Sequence, residues 1–298
     1  MTGKKESMEQ IIKRMEGYGR GNNLRKVKAE AEEKVLSATA IMNDYFVGDL
    51  QGFSFKDDAA TMEAPIFALS TQEEQKIWKW TSADGKKKVE VAASAYGRAT
   101  IFDKDVLIFA ASQLMAAINR GDKPFRKIRF KAKDYFNATK RNGGGEEYAR
   151  FKASLDRLSG TRIKTNINTT NIKKAEGFGI IDNWKIIEQD GSERMVSVEI
   201  TLSEWLYGMI IEKDILTINE EYFLLRKPLE RRLYEIARKH LGVQKEWKIS
   251  LDVLKEKCGS IRDKRNFKVD IKKACTSDTI PDYRLSLDDN EIILFVKK

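Results

Sequence analysis

Residues 147–167 read EYARFKASLDRLSGTRIKTNI and predict a helix followed by a strand. Apolar residues recur in it at intervals of three and four positions, which predicts one face of an amphipathic helix: Tyr148, Phe151, Leu155 and Leu158. Gly160 is placed to end this helix. The segment TRIKTNI then alternates, with Ile163 and Ile167 on one face, and therefore predicts a short strand.

The flanking sequence places this helix and strand in a larger unit. Residues 104–119 are almost continuously apolar and predict a buried helix, with Asp103 as its N-cap. Residues 126–132 predict a strand, and a short helix follows before the glycines at 143–145. Residues 178–182 predict a strand that returns beside TRIKTNI. The resulting order is helix, strand, helix, helix and hairpin, which is the order of a winged helix-turn-helix.

The same order recurs in the second half of the chain. Residues 228–241 predict a long helix with Pro228 in its first turn, and a strand, two helices and a closing hairpin follow. We therefore predict an α+β fold of tandem winged-helix domains, each a helix-turn-helix with a β-hairpin wing. The predicted units are a mobile, partly helical extension at 1–60, a first winged-helix domain at 61–215 and a second at 216–298.

Positive charge is concentrated in the two predicted DNA-binding units. The whole chain has a net charge of +10. Residues 120–174 carry sixteen Lys and Arg against five Asp and Glu, and residues 226–273 carry sixteen against seven, a combined excess of +20. The rest of the chain is therefore acidic overall. An α-helix fits the major groove of DNA, and flanking cations neutralise phosphates.

These patterns indicate two sets of DNA-binding residues. In the first unit the outward helix face and the wing supply Arg150, Lys152, Ser154, Arg157, Arg162 and Lys164. In the second unit the helix and its flank supply Arg262, Lys264, Arg265, Lys268 and Lys272. A basic helix face is also a common feature of ordinary solvated surfaces, so sequence alone leaves both interpretations open for any single residue.

The sequence gives no catalytic constellation, and we expect a protein that is not an enzyme and needs no cofactor. His240 is the one histidine, and its helical spacing indicates a structural role. The paired carboxylates Asp57 and Asp58 are interpreted as solvated turn residues. No segment predicts a signal peptide or a membrane span, and the two cysteines are expected to be free thiols, which is typical of a bacterial cytoplasmic protein.

Five blocks of sequence resemble the plasmid replication initiator protein A (RepA-like) family, in the order found in that family. They are residues 99–115, 155–167, 177–186, 196–207 and 225–240. The resemblance implies an initiator that binds repeated double-stranded origin sites, called iterons. It also implies melting of an AT-rich region, recruitment of the host initiator ATPase and replicative helicase, and repression of the initiator's own promoter as a dimer.

Three other functions are considered. A winged-helix transcriptional repressor without initiator activity would carry the same sequence features. An origin-nicking rolling-circle nuclease would need a pair of metal-binding histidines, which one histidine cannot supply. An interaction scaffold would use the first winged-helix domain to form a homodimer in place of a DNA contact.

Overall fold

The computed structural model describes residues 45–48, 53–70, 77–82, 84–167, 176–188 and 195–298. Its helices are α1 (Ala59–Glu63), α2 (Lys104–Asn119), α3 (Ala132–Ala138), α4 (Gly145–Gly160), α5 (Glu204–Ile211), α6 (Pro228–Leu241), α7 (Leu251–Cys258) and α8 (Lys264–Ser277), with a 3-10 turn at Glu220–Leu224. None of the helices in these ranges combines the length and apolar character that crossing a bilayer requires.

The strands of the described ranges form four small sheets. They are β1 (Phe46–Val47), β2 (Lys56–Asp58), β3 (Trp78–Thr81), β4 (Lys88–Ala92), β5 (Lys127–Lys131), β6 (Arg162–Thr165), β7 (Glu176–Gly179), β8 (Ile181–Glu188), β9 (Met195–Leu202), β10 (Ile215–Thr217), β11 (Glu246–Ser250), β12 (Tyr283–Leu287) and β13 (Ile292–Lys297). The mixed helix and strand content predicted from the sequence is present.

The elements α2 to β9 form the first module, and α2 is its central helix. Its bounds agree with the sequence prediction, and all its residues from Lys104 to Ala117 are buried, as its nearly continuous apolar sequence requires. Strand β5 and helices α3 and α4 follow in the predicted order. Gly160 is the last residue of α4, where an added Cβ would lie 2.4 Å from the Ser94 hydroxyl oxygen. Close approach of the chain at Ser94, and not a left-handed turn, therefore requires this glycine.

The hairpin predicted at 162–182 has a different place from the one expected. Strands β6 and β7 pair with each other, but β6 pairs on its other side with β4, in the sheet β3-β4-β6-β7. Strand β5 instead pairs with β9, in the sheet β1-β5-β9-β8. The hairpin that completes the sheet of the first module is thus β8–β9, because strands β6 and β7 pair in a separate sheet.

The elements α6 to β13 form the second module and have the predicted order of helix, strand, two helices and hairpin. Its sheet has the order β11-β13-β12. In the first module, β5-β9-β8 has the same arrangement, with the strand after the first helix beside the last strand of the hairpin. Apart from the inserted hairpin β6–β7, the two modules therefore share both their element order and the order of these three strands.

Residues 53–63 belong to the fold, which corrects part of the predicted mobile extension at 1–60. Strand β2 pairs with β10, and Phe55 and Met62 are buried in the second of two apolar cores together with Ile108 of α2. Residues 1–44, which make up most of the predicted extension, lie outside the described residues. The predicted domain boundary at 215/216 falls inside β10, and the division into domains stays a prediction.

Several charged residues are buried between the modules, contrary to the sequence interpretation. Asp57 and Asp58 are each only 2% exposed, so they are not solvated turn residues. Arg231 of α6 lies 2.5 Å from Asp105 of α2, and Arg232 lies 2.9 Å from Glu235. Arg231 was counted in the basic excess of the second unit, and its partner Asp105 lies outside that unit, whereas Arg232 and Glu235 were both counted within it. Part of that excess is therefore neutralised inside the protein and does not reach its surface.

Candidate nucleic-acid interface

Helix α4 of the first module carries two predicted contact residues on its surface. Arg150 and Lys152 are exposed, and Arg150 forms ion pairs with Glu146 and Glu147 at the start of the helix. Because exposed ion pairs contribute little stability, the guanidinium of Arg150 can exchange these partners for a phosphate. The exposure predicted for both residues is confirmed, and contact with DNA stays a prediction.

The other two predicted residues of α4 do not lie on an outward face. Ser154 is 6% exposed, and Arg157 is half-buried. The Nε and Nη2 atoms of Arg157 donate to the Asp103 carboxylate at 2.7 and 2.6 Å. These hydrogen bonds raise the pKa of Arg157 above its usual value. The outward assignment of Ser154 and Arg157 is thus wrong, because this side of α4 faces the start of α2.

Asp103 has a different role from the N-cap predicted for it. No helix backbone N–H is capped by its side chain. Its carboxylate instead accepts hydrogen bonds from the backbone N–H and the hydroxyl of Thr100, at 2.7 and 3.0 Å, in addition to those from Arg157. Asp103 therefore fixes the turn before α2 and anchors α4 to it.

Strand β6 presents the two predicted basic residues to solvent. Arg162 and Lys164 are exposed, whereas Ile163 and Thr165 are buried, as the alternation of a strand requires. Beside the end of β6, the turn before β4 and the first residue of β4 carry three exposed lysines that the sequence prediction did not include, Lys86, Lys87 and Lys88. The Asn166 amide bonds to Lys86 O and Lys88 N and holds this turn against β6. The three consecutive lysines in the sequence could have indicated this basic surface.

Helix α8 of the second module has one buried and one exposed face. Phe267, Ile271 and Ala274 are buried, as predicted. The exposed residues Arg265, Val269, Lys272 and Thr276 recur at intervals of four, three and four positions and form the outer stripe. Two of these were predicted as contacts. Val269 was not predicted as a contact. The sequence does show that it is an apolar residue whose position does not fit the spacing of the buried stripe.

The remaining predicted cations of this module are paired with acids. Lys264 and Lys268 each lie 2.8 Å from Glu291 in the turn between β12 and β13, and Lys264 also lies 2.8 Å from Asp252. Hydrogen bonds from the two lysines lower the pKa of Glu291 to about 2. Lys268 is only partly exposed. These two lysines connect α8 to the hairpin, and their contact with DNA stays a prediction.

Arg262 precedes α8 and is exposed, as predicted, but it forms an ion pair with Asp270 at 2.8 Å.

Among the described residues, no cluster of three or more His, Cys, Asp or Glu side chains is arranged to bind a metal ion. His240 stacks on Trp247 with ring centroids 4.6 Å apart. This packing agrees with the structural role predicted for His240.

Comparison with known proteins defines the class. A family model described as Replication initiator protein A matches residues 56–285 of the chain. Over 274 residues the chain is 39% identical to a protein of Wigglesworthia glossinidia brevipalpis named "Putative replication protein", and the match covers 90% of this chain and 98% of that protein. The chain belongs to the Replication initiator protein A family, and the resemblance seen in its sequence blocks is confirmed.

Solved structures show a related fold. The crystal structure of selenomethionine derivatives of domains 2 and 3 of RctB superposes with a TM-score of 0.60 at 12% identity, covering 80% of this chain and 97% of that one. A second structure of RctB domains 2–3 gives a TM-score of 0.56 with the same identity and coverage. At this identity the likeness concerns the fold alone.

Proposed function

We propose that the protein initiates replication by binding repeated sites, or iterons, in double-stranded origin DNA through two winged-helix modules. The observation that carries the proposal is the repeated architecture. Each module has a sheet of the same strand order, and the third helix of each, α4 or α8, carries exposed cations. Membership in the replication initiator family agrees with this role.

The physical basis of binding follows from the two helices. A helix that enters the major groove brings its outer side chains to base edges, and cations beside it neutralise phosphates and release counterions. Two such modules on one chain would occupy successive major grooves, about one helical turn apart. One monomer would then cover roughly 20 base pairs.

The proposal includes the steps that follow DNA binding. The bound initiator promotes melting of an AT-rich region and recruits the host initiator ATPase and replicative helicase. It also represses its own promoter as a homodimer joined through the first module. The protein acts by binding and not by catalysis, and it works in the bacterial cytoplasm. A relative named as a replication protein supports the role in replication.

Footprinting on the replicon that encodes the protein tests the proposal. We expect several protected repeats at a regular spacing near the gene, together with strand opening in an adjacent AT-rich segment. A repressor without initiator activity would protect a single promoter site and open no strand. A scaffold that dimerises through the first module would sediment as a dimer and leave the repeats unprotected.

A further inference from the structure

A cleft of about 360 Å³ lies between α4 and the segment before α2. Helix α4 contributes Arg150, Ser154 and Arg157 to one wall. Residues 96–103 form the opposite wall. The three residues of α4 are spaced at four and three positions, so they share one helix face. We name this feature the Ser154 cleft.

The side chain of Ser154 points to a missing ligand. Ser154 is 94% buried, and its hydroxyl oxygen has no hydrogen-bond partner among the described residues. A serine inside a helix usually bonds back to the carbonyl four positions earlier, and this one does not. Because an unpaired buried hydroxyl is costly, its presence at the wall of a cleft indicates a partner that occupies the cleft.

The charge of the cleft favours an anion. Its lining includes four arginines, Arg98, Arg141, Arg150 and Arg157, and one carboxylate, Asp103. Arg157 donates to Asp103 through Nε and Nη2, and its Nη1 atom has no acceptor among the described residues.

Two other arginines of the cleft differ in how firmly they are held: Arg141 is fixed by largely buried ion pairs, whereas Arg150 has partners at the surface that a ligand can replace. Arg141 is held by Asp105 and Glu147, and Arg150 bonds to Glu146 and Glu147 at the surface. A phosphate group can accept hydrogen bonds from Arg150, Ser154 and Arg157 together, and guanidinium groups bind phosphate in a favourable geometry.

We propose that the Ser154 cleft binds a phosphate group. The Ser154 hydroxyl donates to one phosphate oxygen, and the guanidinium groups of Arg150 and Arg157 donate to the others. The phosphate belongs either to a small phosphorylated compound or to the backbone of DNA lying along α4. The second source rests on the proposed function, and the first does not.

The test uses the full chain and a matched pair of variants. Ser154→Ala removes the hydroxyl without changing charge, and it should fold because alanine is a better helix former than serine. Ser159→Ala makes the same change on α4 at a hydroxyl already bonded to the Asp156 carbonyl, so it is the control. Thermal unfolding of each variant verifies the fold before binding is measured.

Calorimetric titration with pyrophosphate is the first measurement. We expect binding by the unaltered chain, a loss of about fivefold to tenfold in Ser154→Ala, as for one hydrogen bond of average strength, and no change in Ser159→Ala. This result supports the proposal with a small compound as the source. It would stand even if the protein failed to bind origin DNA, so it separates this inference from the proposed function.

Titration with a duplex of the origin repeat is the second measurement. If pyrophosphate does not bind but Ser154→Ala alone weakens duplex binding by about fivefold to tenfold, the phosphate belongs to the DNA backbone. If Ser154→Ala changes neither titration, the proposal is overturned, and the hydroxyl of Ser154 is an unpaired group of the packing.

Discussion

The Nζ atom of Lys104 lies 3.0 Å from Oε1 of Glu235, although 131 positions separate the two residues in the sequence. Lys104 begins α2 and Glu235 lies in α6, and both are buried. The same ammonium lies 2.6 Å from Asp57. Burial alone would lower the pKa of Lys104, but these carboxylates raise it above its usual value, so the ammonium stays charged. A buried charge pair thus joins the first helices of the two modules.

Replacing Lys104 tests the importance of this contact. We expect Lys104→Met to lower the free energy of unfolding by about 3–5 kcal/mol, because it leaves buried carboxylates without their cation. Urea denaturation measures the change. Lys152→Met is the control on the surface and should stay within about 0.5 kcal/mol of the unaltered chain. A loss below about 1 kcal/mol for Lys104→Met would contradict the prediction.

The stability of the protein should depend on pH through His240. Burial, aided by repulsion from Lys257, lowers the pKa of His240 from its ordinary value of 6.5 to about 4. In the window between these values the unfolded chain binds a proton that the folded chain does not. Stability is therefore full above the unfolded pKa and decreases as the pH falls towards the folded pKa.

The expected loss between about pH 7 and about pH 5 is about 2 kcal/mol, and His240→Gln should remove most of it. Urea denaturation at both pH values measures the effect. His240 is the one histidine of the chain, so no second imidazole obscures the comparison. Equal pH dependence in the variant and the unaltered chain would show that burial does not shift the pKa of this residue.

Arg157 should act in folding and not only in binding. The Asp103 carboxylate is buried and keeps just its bonds from Thr100 when Arg157 is removed. We expect Arg157→Gln to cost about 1.5–3 kcal/mol of unfolding free energy. A double-mutant cycle with Asp103→Asn should give a coupling of about 0.5–3 kcal/mol. Additive effects of the two substitutions would argue against the pair.

The outer stripe of α8 should control the electrostatic part of DNA binding. We expect Arg265→Ala combined with Lys272→Ala to weaken duplex binding at all sequences and to reduce the slope of log affinity against log salt by about 2. Fluorescence anisotropy over a salt series measures both quantities. Lys248→Ala alters an exposed lysine of the same module outside α8 and serves as the control. An unchanged slope in the double variant would exclude this face.

Val269 should contribute to sequence recognition without contributing to the salt dependence. It is exposed between Arg265 and Lys272, and an apolar side chain in this position can contact a thymine methyl group. We expect Val269→Ala to weaken binding to the origin repeat by about 1 kcal/mol and to leave non-specific binding and the salt slope unaltered. Competition with unrelated duplex DNA separates the two kinds of binding. Equal losses for both duplexes would refute the prediction.

Local periodicity predicted the elements that carry the candidate site. The bounds of α2, the buried stripe of α8 and the alternation of β6 agree with the sequence prediction. The exposure of Arg162 and Lys164 follows from the same alternation. These features depend on residues that are close in the sequence, within about two helical turns or a few strand positions. A short window of sequence is therefore enough to predict them.

The burial of charged residues was harder to predict from the sequence than the burial of apolar residues. Lys104 and Arg231 are buried, and Arg157 is bound to Asp103, although each is a cation in a sequence that indicates a basic surface. Their partners are 47 to 131 positions away. A cation that meets a distant carboxylate inside the fold contributes nothing to the attraction of DNA, and composition cannot distinguish it from one that stays in solvent.

Sequence patterns predicted most of the helices, most of the strands, the repeated order of elements and the family, but not helix α1. The tertiary structure alone decided which hairpin completes the sheet of the first module, which cations reach solvent and where the Ser154 cleft lies. The physical reason is the range of the interactions. Helix and strand formation depend on nearby residues, whereas strand pairing and ion pairing join groups whose separation in the chain can be any length.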